Sequence, residues 1–150
     1  MKIIQKNQFM KIVGICLFTF MGTICMTGQS YNQSLLLNKE WENRIPGKTY
    51  VTTCLFTSTE WIVKDFINNG VKTEVGLKTP YYLSDEIVDQ FQQDCVGKSK
   101  SGKYIVMLTK PMIGEEYVEM LEVHEILELT ENTLKTKHLR SGTVLEYDVK

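Results

Sequence analysis

The chain has 150 residues, with 17 basic and 18 acidic side chains and a formal charge of −1. That length supports one hydrophobic core and one domain. A neutral to mildly acidic chain has no electrostatic reason to hold a phosphate backbone, so nucleic acid is excluded as a partner.

In chain order, the first feature is a three-part N-terminus. Lys2, Lys6 and Lys11 form a basic region without acidic residues, Ile12 to Met26 is an apolar run, and Gly28-Gln29-Ser30 follows with small residues at alternate positions. This is the pattern of a cleavable secretion signal. The apolar run is about 15 residues, short of the ~20 that a spanning helix requires, and no basic stop-transfer cluster follows it. Residues 1–30 are therefore read as a signal peptide with cleavage before Tyr31, and 31–150 as a single mature domain with no transmembrane span. The expected location is periplasmic or secreted. An outer-membrane lipoprotein is the alternative, but Ile24 before Cys25 and Ile15 before Cys16 stand where lipidation wants Gly or Ala. Cleavage removes three lysines, which leaves 14 basic against 18 acidic residues and a charge of −4.

Tyr31 to Leu37 is a lead-in whose leucines dock on the core, and Pro46-Gly47 breaks the chain after Trp41. Tyr50 to Phe56 is rich in β-branched and aromatic residues and reads as a strand. In Glu60 to Ile67, apolar Trp61, Val63 and Ile67 alternate with Glu60 and Lys64, a second strand. Asn68-Asn69-Gly70 is the clearest turn, because tight hairpins need residues that tolerate positive φ. Val71 to Leu77 is the return strand, closed by Pro80, and Tyr81-Tyr82-Leu83 is a further extended piece. Ile87, Val88 and Phe91 have helical spacing behind Ser84, so Asp85–Cys95 admits one short helix without requiring it.

Tyr104 to Leu108 is a strong short strand. Glu115 to Leu129 reads two ways. Its Glu, Leu and Met content favours a helix, whereas Leu121, Val123, Leu127 and Leu129 share the parity of a strand. Leu134 to Leu139 and Thr143 to Val149 are the last strands, joined by Ser141-Gly142. About seven to nine short strands with a turn between almost every pair make a mostly β, antiparallel barrel or sandwich.

The two cysteines of the mature part, Cys54 and Cys95, are a candidate disulfide in an oxidising compartment. The bridge would close a loop of about 40 residues, for about 3–4 kcal/mol; two buried free thiols are the alternative. No His or further Cys stands near either, which argues against a metal there.

Two motifs come close to known chemistry and miss. Gly97-Lys-Ser-Lys-Ser-Gly-Lys103 lacks the hydroxyl that a phosphate loop needs after its lysine, since Tyr104 stands there, and a strand follows it rather than a helix. A basic, solvated loop is the better reading. His124-Glu-Ile-Leu-Glu128 has Glu128 where a zinc-protease helix needs its second His. Alternating polar residues on a half-exposed strand account for both. No Gly-x-Ser-x-Gly elbow is present, so no enzyme, metal or cofactor is expected.

A family resemblance sharpens the fold. Glu125-Ile-Leu-Glu-Leu-Thr-Glu-Asn-Thr-Leu-Lys-Thr-Lys137 followed by Gly142-Thr-Val-Leu-Glu-Tyr147 resembles the ending of small exported lipocalin-like domains of Bacteroidetes. Leu37-Asn-Lys-Glu-Trp41 is similar to their beginning, and Leu55-Phe56 with its polar turn resembles their first hairpin. Lys39 departs from the lipocalin pattern, which has Gly there. The resemblance implies a calycin-type meander β-barrel with a ligand cavity and no catalytic machinery. In such a barrel one parity of each strand faces inward, and Phe56, Trp61, Val63, Tyr82 and Met107 are the candidate lining. The implied function is to bind a small hydrophobic ligand. The alternative is a protein-interaction module of the cell envelope that uses the basic loop Lys98–Lys103.

Overall fold

A computed structural model of the protein describes residues 28–44 and 48–150. The predicted signal peptide, the cysteines at 16 and 25 and the Pro46-Gly47 break lie wholly or largely outside the described residues. Among those residues, no helix is long and apolar enough to cross a membrane.

Eight strands form the body: β1 Glu40–Arg44, β2 Tyr50–Phe56, β3 Glu60–Asn68, β4 Val71–Ser84, β5 Tyr104–Thr109, β6 Met120–Leu129, β7 Thr133–His138 and β8 Val144–Val149. Each pairs antiparallel with the next, and β8 pairs back onto β1 through Val149 and Trp41, so the sheet closes into a barrel. The mostly β, lipocalin-like meander barrel expected from the sequence is the observed fold.

The turns form where backbone chemistry allows them. Asn69 (φ 49°) and Gly70 (φ 79°) carry the β3–β4 hairpin, two consecutive left-handed residues as a two-residue turn demands. In β4, Gly76 (φ 65°) occupies a register break against β3. Pro80 does not end the strand: β4 runs through it to Ser84. The Tyr81 N–H bonds to Thr59 on the β3 side. Alternation therefore turns the Pro80 nitrogen towards β5, where it has no hydrogen to donate. The β4–β5 ladder accordingly covers only Tyr81–Ser84 against Met107–Tyr104, and the two strands part beyond it.

One end of the barrel is plugged by the lead-in. Gln33–Leu35 forms a single 3-10 turn capped by Asn32, and Leu36 inserts with no exposed surface. Trp41, also fully buried, donates its indole N–H to the Leu36 carbonyl at 3.0 Å. Gln33 donates to the Tyr81 hydroxyl at 3.0 Å, and Tyr81 donates to the Thr57 carbonyl at 2.7 Å. The leucine docking read from the sequence thus becomes a hydrogen-bonded lid.

The predicted helix at Asp85–Cys95 is reduced to one 3-10 turn at Gln93–Cys95. Ser84 accepts from the Glu86 N–H and donates to the Glu86 carbonyl, which ties the chain into a turn in place of a helix start. Val88, Phe91, Cys95 and Val96 then pack as an outer layer on Tyr82, Val106 and Val123. Cys54 belongs to the cluster inside the barrel. Cys54 and Cys95 are both free. The barrel wall lies between them, so the candidate disulfide does not form.

Candidate functional site

The even positions of β6 point inward. Glu122, His124 and Ile126 stand opposite Met107, Ile105 and Thr136, while Leu121 and Val123 pack on the outer layer. A register break between Ile126 and Glu128 then returns Leu129 to the interior and leaves Leu127 exposed. The strand reading of this segment is the observed one, but its apolar parity covers the outside of the barrel up to that break. Two polar residues are left looking in.

They look into a cavity of about 160 Å³. Its walls are Phe56, Trp61, Ile105, Met107, Leu134, Leu145 and Tyr147, with Glu122, His124 and Thr136 as the polar members. Of the candidate lining residues, Phe56, Trp61 and Met107 are in these walls. Val63 is half-buried on β3 but does not border the cavity. Tyr82 is a correction: it faces the outer layer, its ring 5.3 Å from that of Phe91 and tilted to it by 55°, and its neighbour Tyr81 takes the inward position. Strand alternation requires one of the pair to face out, and the plug claims the Tyr81 hydroxyl.

His138 adjoins this polar corner without bordering the cavity. The β6–β7 hairpin sets His124 directly opposite His138, with the rings 4.9 Å apart. Ligand-capable atoms of Glu122, His124 and His138 all lie within 4.8 Å of one another. Glu122 Oε2 is 3.8 Å from His124 Nε2, too long for a hydrogen bond. His124 is 8% exposed, and its Nε2 is buried without a hydrogen-bond partner among the described residues. Ser141 Oγ lies 2.7 Å from His138 Nδ1, and Thr109 donates to Glu122 Oε1 at 3.3 Å. The neighbouring His124 imidazole holds the Glu122 carboxyl below the usual carboxylate range. Burial, and then His124, lower the His138 pKa.

Glu122 also borders a second, larger hollow of about 460 Å³ where β4 and β5 part, between Leu77–Pro80 and Leu108–Pro111. Tyr117, from the exposed hairpin Met112–Ile113/Glu116–Tyr117, forms part of its rim. Glu122 is therefore shared by the two hollows.

Elsewhere the near-motifs dissolve. The basic loop runs into a two-residue strand, Ser101–Gly102, paired with Tyr31–Asn32, and then into β5. Glu128 is exposed and lies past the bulge, away from His124. Sequence reasoning considered His124 with Glu128 at helical spacing. The partners that matter are at strand spacing, i and i+2, and across a hairpin. The signal was present in Glu122-Val-His124 and in a turn that registers His138 with His124.

Comparison of the chain with protein-family models, with curated proteins and with solved structures finds no match in any of the three.

Proposed function

We propose that the chain is an exported lipocalin-like protein that holds a small, largely apolar ligand inside its barrel. The observation that carries this reading is the interior cavity, apolar on most of its wall with one polar corner at Glu122, His124 and Thr136. Binding sites are commonly built this way, with apolar walls for affinity and a few polar groups for orientation. An eight-stranded barrel is just wide enough for side chains to fill it or to hold one small ligand.

Volume restricts the ligand. At about 160 Å³ the space is below the roughly 300 Å³ of drug-sized pockets and near the ~150 Å³ apolar cavity that takes up benzene. The proposed ligand is thus a single ring or short alkyl chain with one polar head. The parted β4–β5 seam supports a lateral route inward. The leader-like N-terminus and the resemblance of the first and last strands to exported lipocalin-like domains support the setting.

Native mass spectrometry of the protein, expressed from the full-length gene and recovered after export, tests this directly. A bound small mass is expected in wild type and its loss in Leu145→Trp, which fills the cavity. Titration with indole, followed by methyl and ring NMR signals of Met107 and Trp61, gives a second reading. A wild type that is always free of small molecules and whose Met107 and Trp61 signals ignore indole would end the ligand reading.

A further inference from the structure

We propose that Glu122, His124 and His138 form a binding site for one borderline divalent transition cation of the zinc class, at the polar corner of the barrel cavity. The site goes beyond the ligand reading and does not depend on it.

Three observations converge. The donor set is two imidazoles and one carboxylate from two paired strands, with ligand atoms mutually within 4.8 Å. His124 is 92% buried by its 8% exposure, and its Nε2 has no hydrogen-bond partner among the described residues. A buried ring nitrogen without a partner is destabilising, and a cation at that point would satisfy it. Finally, the outer partners are in place. Ser141 meets His138 Nδ1 with both its Oγ, at 2.7 Å, and its backbone N–H, at 3.3 Å, and Thr109 donates to Glu122 Oε1 at 3.3 Å; a cation on His138 Nε2 requires the Nδ1 proton to be directed at the Ser141 Oγ. Such partners orient metal ligands.

Chemistry selects the cation. Magnesium and calcium want all-oxygen shells, whereas two imidazoles with a carboxylate suit zinc and its first-row neighbours. At zinc–ligand distances of about 2.0–2.1 Å, tetrahedral donors stand about 3.4 Å apart. Closing from 4.8 Å takes an approach of about 1.4 Å, within reach of side-chain rotation. Three protein ligands leave one position open, and two of the three, Glu122 and His124, border the cavity. One carboxylate against a dication leaves a net positive centre, so that position would take an anionic donor such as a carboxylate or phenolate. This last consequence rests on the ligand reading; the cation site does not.

The purified protein, expressed from its full-length gene and stripped with a chelator, is titrated with Co²⁺ as an optical probe and then with Zn²⁺. Wild type is expected to take up one equivalent, to show the visible bands of a four- or five-coordinate cobalt site, and to lose them when Zn²⁺ displaces the probe. Loss of an outer partner costs metal sites about 10–100-fold in affinity. Glu122→Gln, His124→Gln and His138→Gln should therefore each weaken binding at least about a hundredfold. Wild type that takes up no metal, or variants that bind it as well as wild type, would overturn the proposal. Should a variant not fold, ¹⁵N spectra of the wild-type imidazoles decide the matter: Zn²⁺ must shift both His124 and His138, and unmoved rings overturn the site. The indole titration is read without metal, so either result can fail while the other stands.

Discussion

At the scale of single residues, burial separates chemically identical groups. Cys54 is fully buried beside Trp41, and burial pushes its thiol pKa up to about 12. Cys95 is half-buried in the outer layer, where its thiol donates to Gln92 at 3.3 Å. Only a thiolate is nucleophilic. An alkylating reagent at neutral pH should therefore label Cys95 but not Cys54 in the folded protein, and both of these cysteines in urea. Intact-mass measurement reads this directly, and equal native labelling would contradict the barrel placement of Cys54. Tyr81 is the comparable hydroxyl. Tyr81→Phe removes the donor to Thr57 and the acceptor for Gln33, and should cost about 1–3 kcal/mol in denaturant unfolding.

At the scale of elements, backbone conformation decides what a position tolerates. A Cβ at Gly70 would meet nothing within 4 Å, yet its φ is 79°. Gly70→Val should then cost about 1–2 kcal/mol through left-handed strain alone, and Gly70→Asn much less; paired chemical denaturation curves give the difference. Pro80 acts by its missing N–H. Pro80→Val restores a donor facing β5, so the ladder should extend past Tyr81 and narrow the seam. Hydrogen exchange at residue 80 and a slower release of indole would report it. Elements also show where sequence reading reaches its limit. The hairpin at Asn69-Gly70 was legible because local φ requirements specify it. The facing of β6 was not. Alternation predicts that Leu121 and Val123 share a face, but not that the face is outward, since that depends on the 85–98 segment arriving to cover them.

At the scale of the whole molecule, the plug and the barrel share one cluster. Leu36, Trp41 and Tyr81 have no exposed surface, and Leu36→Ala should cost about 2–5 kcal/mol. Alkaline pH tests the same core. Burial raises Cys54 from 9.0 to about 12 and Tyr81 from 10.0 to about 12, and raises Tyr147 further. The unfolded chain therefore releases these protons first. The folded state keeps its full advantage below about pH 9 and loses it as pH rises towards 12, by up to about 1.4 kcal/mol per pH unit for each group. Urea midpoints measured between pH 8 and 11 should fall steadily; a flat profile would place these groups in solvent.

What the sequence by itself determined is local: which segments are extended, where the chain turns, and that leucines before Trp41 seek a core. Those features follow from φ preferences and a two-residue period, which neighbouring residues are enough to express. The tertiary structure alone decided which face of each strand is the inside. It divided Tyr81 from Tyr82, separated Cys54 from Cys95 by the barrel wall, and turned Glu122 and His124 inward against the expectation that polar residues face water. The physical reason is that a strand has two equivalent faces until other segments bury one. Here the outer layer took the apolar face of β6, and closure of the ring left its polar face, opposite His138, inside.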